Sequence, residues 1–129
     1  MLLVRHYRVG AGDAAGFTAR ARRAIELLTA QPGCLRVTLA RATEDGQTWL
    51  LVAEFESVNA YRRALSPFDI REHVVPLLSE PDQAGTGGPS TFESLLVGAD
   101  GVVTEQPSVI AADAGEVGVG QAAGPAKAR

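Results

Sequence analysis

The sequence predicts an α+β domain in which the secondary structure follows the order β-α-β-β-α-β. Three observations indicate this order: a segment of helical period from Asp13 to Gln31, a hairpin signal at Asp45-Gly46, and stretches rich in β-forming residues at both ends of the region. Four antiparallel strands with both helices on one face form the ferredoxin-like arrangement. The helices then leave the other face of the sheet uncovered.

The first strand and helix are assigned from residues 2–33. Leu2 to Val9 is rich in β-formers and precedes two glycines, which indicates a strand followed by a turn. In the helical segment, apolar residues recur at steps of three and four and form one stripe. This stripe consists of Phe17, Ala21, Ala24, Ile25 and Leu28. Pro32-Gly33 ends the helix, because proline lacks the N–H that a helix needs and glycine accepts the left-handed exit conformation.

Cys34 to Ala42 and Gln47 to Glu56 are predicted to form a hairpin, because glycine tolerates the positive φ of a tight turn. One face of the second strand carries Trp49, Leu51, Ala53 and Phe55, and the other carries Leu50 and Val52. A strand that is apolar on both sides is expected to be packed against other elements on both sides. A second copy of the chain, packed sheet against sheet, is the simplest cover, so we expect a homodimer.

The rest of the domain follows from caps and prolines. Ser57 is the expected N-cap of the second helix, and Pro67 is expected to start a new helical segment, since proline is tolerated in a first turn. Pro76 is expected to kink or end the helical segment that precedes it. Glu80 to Pro89 is predicted to be a loop, and Ser90 to Val97 a last strand.

A domain over residues 1–97 is therefore followed by a tail over residues 98–129. The tail is rich in Gly, Ala and Val, and no aromatic residue follows Phe92, so it has little to bury and is expected to be mobile. The alternative is an extra strand, built from Val102-Val103 and Val109-Ile110, that crosses to the partner.

The composition and charge exclude several classes of partner. With 46% apolar and 21% charged residues over 129 positions, the chain has the composition of an ordinary globular protein. Its formal net charge is −3, whereas nucleic acid and anionic membranes attract clustered Lys and Arg, so neither is an expected partner. No stretch reaches the roughly 20 apolar residues of a membrane span. Arg5 comes too early for a signal peptide and Cys34 is the single cysteine, so we expect a cytoplasmic protein.

Three motifs in order carry a resemblance to a known family. They are Pro32-Gly33-Cys34, the hairpin end Ala53-Glu54-Phe55-Glu56-Ser57, and the run from Asn59-Ala60-Tyr61 to Ser66-Pro67 followed by His73. Together they resemble the antibiotic biosynthesis monooxygenase family of the dimeric α/β-barrel superfamily, over roughly residues 1–97.

The resemblance implies a homodimer with a cleft between sheet and helices in each copy. Some relatives oxidise aromatic polyketides there with molecular oxygen and neither metal nor flavin, and others bind and degrade heme. Heme degraders carry an Asn on the first strand, a Trp on the second helix and a His downstream. The corresponding places here hold His6 or Tyr7, Ala64 and, one residue out of step, His73. Two of the three are absent, which argues against heme degradation.

Two histidines are the candidate reactive groups. His6 shares strand parity with Leu2 and Val4, and its neutral imidazole could take a proton from a phenol or enol, so it is our candidate catalytic base. The alternative is a hydrogen-bonded core histidine. His73 lies one turn from Ile70 and Leu77, on the expected inner stripe of the second helix. It is a candidate for substrate binding, for a heme ligand or for an interface residue.

Two aromatic residues are candidate walls of the cleft. Trp49 and Tyr61 are expected either to stack on an aromatic substrate or simply to pack the core. The first functional hypothesis is thus a cofactor-independent monooxygenase that acts on a small aromatic or enolisable compound, with no metal. A non-catalytic dimeric ligand-binding or stress-response module is the second, and a heme-binding relative is the third.

Overall fold

The computed structural model describes residues 1–108, and the chain divides into two compact units, residues 1–92 and the part that starts at Glu93. The first unit contains β1 (Leu2–Arg8), a 3-10 turn (Ala11–Asp13), α1 (Ala14–Thr29), β2 (Cys34–Arg41), β3 (Thr48–Phe55), α2 (Val58–Ala64), α3 (Phe68–His73), α4 (Val75–Ala84) and β4 (Thr91–Phe92). The second contains β5 (Leu96–Ala99) and β6 (Val102–Glu105).

The four strands of the first unit form one antiparallel sheet in the order β2-β3-β1-β4. The predicted ferredoxin-like fold is confirmed by this order and by the hairpin of β2 and β3. One face of the sheet carries the apolar core together with the buried sides of α1, α3 and α4. The helical stripe matches the prediction, since α1 buries Phe17, Ala21, Ala24 and Leu28.

Local capping explains where the helices begin. The amide of Ala60 donates to Ser57 Oγ at 3.0 Å, which confirms Ser57 as the N-cap of α2. Pro67 precedes the first residue of α3, as predicted. Pro76 occupies the first turn of α4, where its missing N–H is not needed, so the break between α3 and α4 falls at Val74.

The predicted loop from Glu80 to Pro89 is wrong at its start, because α4 continues to Ala84 and ends on Gly85 at φ 73°. Pro81 therefore lies inside the helix and cannot donate to the carbonyl of Leu77. The hydroxyl of Tyr7 donates to that carbonyl instead, at 2.9 Å. A side chain from β1 thus supplies the hydrogen bond that the proline removes.

The predicted last strand from Ser90 to Val97 is also corrected, since only Thr91–Phe92 joins the sheet. Leu96–Ala99 instead pairs with Val102–Glu105 through Asp100 and Gly101, both at positive φ. Val102-Val103 thus does form a strand, within its own unit. Val109-Ile110 and the rest of the predicted tail lie outside the described residues, and the two units divide after Phe92.

No helix within residues 1–108 is long and apolar enough to cross a membrane.

Candidate functional site

The two faces of the sheet carry different side chains of β1. Leu3, Arg5 and Tyr7 are buried on the face that the helices cover, whereas His6 is exposed on the opposite face. Strand pairing extends this division to β3, because Tyr7 lies opposite Trp49 and His6 lies opposite Leu50. Directly opposed residues point to the same face. We call the two sides the covered face and the open face.

His6 shares its face with Leu2 and Val4, as the parity predicts, but that face is the open one. The expected cleft between sheet and helices therefore does not contain His6. Successive side chains of a strand point to opposite faces, and β1 has apolar residues on both. The helices pack on the face that carries Leu3 and Tyr7, so His6 points away from them. His6 and Trp49 do not share a site within one protomer.

Trp49 is only 6% exposed and is held in the core of the covered face. Its indole Nε1 donates to the carbonyl oxygen of Gly46 at 3.1 Å, and its ring meets Phe17 edge to face, with 5.6 Å between the ring centroids. The guanidinium of Arg41 lies 5.5 Å from the ring centroid. These contacts make Trp49 a packing residue; its predicted role as a substrate wall stays a prediction.

Tyr61 lies on α2, half-buried, and packs edge to face on Phe55 at 5.4 Å between centroids. Burial raises the pKa of its phenol, and the nearby charge of Arg5 lowers it by less. The hydroxyl of Tyr61 is therefore protonated at neutral pH. In that state it is available as a hydrogen-bond donor.

His73 lies on the outer surface, with 46% of its side chain exposed and its Nε2 3.4 Å from Glu72 Oε1. The expectation of an inner position is wrong, because α3 ends at His73 and the buried positions are taken by Ile70 and Val74. This exposed position does not fit an axial heme ligand, which needs an apolar slot for the ring. Within residues 1–108 there is no cluster of three or more His, Cys, Asp or Glu arranged to hold a metal ion.

A groove of about 570 Å³ opens where the end of β1 meets α1 and α4. It is lined by Tyr7, Arg8, Val9, Gly12, Asp13, Gly16, Phe17, Arg20 and Glu80. The rings of Tyr7 and Phe17 meet at 4.9 Å between centroids and give it an aromatic wall. A Cβ added at Gly12 or Gly16 would meet nothing within 4 Å, so this wall of the groove is bare backbone with open space in front of it.

The polar side of the groove is an ion pair between Arg20 and Glu80. The guanidinium of Arg20 also lies 5.5 Å from the centroid of Phe17, against the aromatic wall. Burial, followed by the charge of Glu80, raises the pKa of Tyr7 above its ordinary value, so its phenol does not ionise near neutral pH. Tyr7 is therefore a fixed neutral hydroxyl, and the proton acceptors that line the groove are Asp13 and Glu80.

Arg5 lies next to Tyr7 on the covered face and is only 4% exposed. One terminal nitrogen lies 2.6 Å from Asp82 Oδ1, and its Nε has no hydrogen-bond partner among the described residues. Gly87 lies so close to this pair that a Cβ there would be 2.6 Å from Asp82 Oδ1. Sequence reasoning missed Arg5, because Leu2 and Val4 make the other parity of β1 apolar as well and the sequence does not show which parity the helices cover.

Comparison with protein families matches residues 1–73 to the model for antibiotic biosynthesis monooxygenases. Among solved structures, SnoaB, a cofactor-independent oxygenase from Streptomyces nogalater, is 28% identical with a TM-score of 0.51 over 59% of this chain and 76% of SnoaB. A putative antibiotic biosynthesis monooxygenase from Bordetella bronchiseptica is 28% identical with a TM-score of 0.50 over 61% of this chain and 81% of its own.

A conserved protein from Methanosarcina mazei Go1 shares the fold, with a TM-score of 0.54 at 19% identity over 61% of this chain and 77% of its own. No curated protein sequence matches this chain.

Proposed function

The chain belongs to the antibiotic biosynthesis monooxygenase family, and from this premise we propose that it is an oxygen-dependent, cofactor-independent monooxygenase of a small aromatic or enolisable compound. SnoaB, with which it shares fold and 28% identity, is a cofactor-independent oxygenase. The groove on the covered side is the observation from which we infer the position of the active site. Its volume lies within the 300–1,000 Å³ common for small-molecule pockets.

The groove offers what such a substrate needs. The aromatic wall of Tyr7 and Phe17 and the bare backbone at Gly12 and Gly16 suit a flat ring. A phenol or enol that loses its proton becomes electron-rich enough to react with dioxygen directly. For an activated CH₂ group the balance is simple: one oxygen atom becomes the new carbonyl oxygen, and the other leaves as water with the two hydrogens.

The proton acceptor depends on which face holds the substrate. A ring in the groove faces Glu80 and Asp13, whereas His6, our candidate base from the sequence, lies on the open face and would serve a ligand held there. Oxygen uptake in Glu80→Gln and His6→Ala separates the two. We expect the first variant to lose most activity and the second to retain it; the reverse result would move the site to the open face.

Filling the groove tests the proposal directly. Gly16→Leu should place its side chain in the open space without disturbing the fold, and Ala15→Leu, exposed on the same helix and not a lining residue, is the matched control. With an anthrone or quinol as substrate, oxygen-electrode measurements should show kcat/KM reduced roughly tenfold or more in the first variant only. Full activity in Gly16→Leu would exclude the groove as the site.

A wild-type protein that binds such compounds and consumes no oxygen would overturn the oxygenase proposal and leave a non-catalytic ligand-binding protein as the alternative.

We further propose that two copies pack their open faces together. That face carries half-buried Leu2, Val4, Leu50 and Val52, and Phe92 extends it while 45% exposed. Sheets pack face to face when their inner faces are apolar, and symmetric dimers are the commonest soluble oligomers. In such a dimer His6 would lie at the interface.

A further inference from the structure

The buried guanidinium of Arg5 is the feature of the first unit that packing explains least. It interrupts an otherwise apolar row on β1, between Leu3 and Tyr7, and lies opposite Leu51. Within residues 1–108 it forms an ion pair with Asp82, whose side chain is 68% exposed, and its Nε donates to none of these residues. A buried cation with an unused donor is an incomplete interaction.

The fold does not need this charge. Moving a guanidinium out of water is costly, and an apolar side chain of similar volume at a buried ion-pair position is often neutral or stabilising. A buried N–H without an acceptor adds to the cost. Leu or Met at position 5 would fill the same space beside Leu51 without either penalty, which indicates that the charge serves a ligand rather than the fold.

Arg5 does not line the groove itself but lies two residues before Tyr7 on the same face of β1. Tyr7 lines the groove, and side chains two residues apart on one face of a strand are about 7 Å apart. The charge of Arg5 acts on the hydroxyl of Tyr7, where it lowers the pKa against the larger raising effects of burial and Glu80. An acidic group bound against Tyr7 would lie in the same field.

We propose that Arg5 stabilises the anionic form of a phenol or enol bound in the groove. This inference rests on the proposed function and deepens it, since it assigns the buried Arg5 to the site as the group that favours the ionised substrate. When the substrate O–H bond breaks, the proton passes to an acceptor in the groove and the electron pair stays on oxygen. The guanidinium keeps its proton throughout, so its contribution is electrostatic, and shielding from water strengthens it.

Other charges also face a ligand in the groove or the guanidinium of Arg5. They are Arg8 on β1, Asp13 before α1, Arg20 on α1, and Glu80 and Asp82 on α4. The carboxylates oppose ionisation of a bound phenol. Arg8 and Arg20 are more than half exposed and already paired with acidic groups, so solvent screens them. Arg5 is the cation in this set that is shielded from solvent.

The test is the ionisation of bound 4-nitrophenol, whose absorbance reports the phenolate without any turnover. Titration should show the bound probe ionising roughly one pH unit lower in wild type than in Arg5→Met. Arg23→Met is the matched control, because Arg23 is an exposed arginine on α1 outside the groove, and it should behave as wild type. Asp82→Asn, a surface change, should move the ionisation lower still, because it removes the counter-charge of Arg5.

Identical titrations in wild type and Arg5→Met, or no binding of the probe to wild type, would overturn the inference. If Arg5→Met does not fold, an unchanged titration in Asp82→Asn would overturn it equally. Oxygen uptake separates this result from the proposed function. A shifted ionisation without oxygen uptake would support the anion site and refute the oxygenase proposal. Oxygen uptake with an unchanged pH profile in Arg5→Met would support the oxygenase proposal and refute the role of Arg5.

Discussion

The covered and open faces of the sheet are built from alternate residues of the same strands, yet they differ in almost every physical respect. On the covered face Leu3, Leu51, Ala53 and Phe55 are at most 1% exposed. On the open face the interleaved residues of β3 are only half-buried. Both sides carry apolar residues, so composition does not determine which side becomes the core. The side on which the helices pack becomes the core.

The polar groups differ in the same way. The charge on the covered face of β1 and β3 is Arg5, held in a dry environment, and the hydroxyl of Tyr7 has a defined acceptor. On the open face His6 is exposed to water and Glu54 is half-buried. Electrostatic effects are larger where water is excluded. We therefore expect reactivity on the covered side and association on the open side.

The largest expected effect comes from truncating neighbouring leucines on the two faces. Leu51→Ala should reduce the free energy of unfolding by about 2–5 kcal/mol, because it leaves a cavity in a packed core. Leu50→Ala, one residue away on the open face, should cost the isolated protomer less than about 1 kcal/mol. Urea denaturation at low protein concentration measures both. Equal losses would mean that the open face is packed as tightly as the covered one.

Association through the open face is tested by a charge at its centre. Val52→Asp, between Val4 and Thr38, should weaken a sheet-to-sheet dimer at least about 100-fold, because it buries an unpaired carboxylate. Ala19→Asp on the exposed side of α1 is the control. Light scattering across a dilution series measures the dissociation. A wild-type protein that is a lone protomer at every concentration would refute the dimer.

A smaller effect tests the bond that joins the covered face of β1 to α4. Tyr7→Phe removes the hydroxyl that satisfies the carbonyl of Leu77 and should cost about 1–3 kcal/mol. Pro81→Ala restores an N–H that can serve the same carbonyl. The loss caused by Tyr7→Phe should therefore shrink in the Pro81→Ala background, as measured by a double-mutant cycle in urea. Additive losses would show that the proline and the hydroxyl are unrelated.

The smallest expected effect on stability is at the turn between β2 and β3, which belongs to neither face of the sheet. Hydrogen bonds from the amide of Gln47 and the hydroxyl of Thr48 lower the pKa of Asp45. Because the folded pKa lies below the unfolded one, Asp45 stabilises the fold at neutral pH, and this contribution is lost as the pH falls below about 4. Asp45→Asn should thus be slightly less stable than wild type at pH 7 and indistinguishable in strong acid, as followed by thermal unfolding. A gap that persists in acid would assign the effect to something other than the charge.

The elements of this protein were determined by local signals in its sequence. Asp45-Gly46 predicts a hairpin, and the hairpin forms, but Gly46 is not at positive φ; the Asp45 carboxylate holds the turn by accepting hydrogen bonds from the Gln47 amide and the Thr48 hydroxyl. Ser57 caps α2 because its hydroxyl accepts from a free amide, and the stripe on α1 has the period of a helix. These signals act over a few residues, so they can be read without the fold. The motifs that suggested the family are of the same local kind.

Tertiary packing alone decided which parity of β1 the helices cover, and with it that Arg5 is buried while His6 faces water. It also decided that α4 runs through Pro81, because the compensating hydroxyl of Tyr7 comes from a strand 70 residues earlier than its acceptor. Both outcomes depend on contacts between residues distant in the chain. A pattern over a few neighbouring positions contains no information about such contacts, so the sequence predicts His6 as the base although the groove lies on the other side of the sheet.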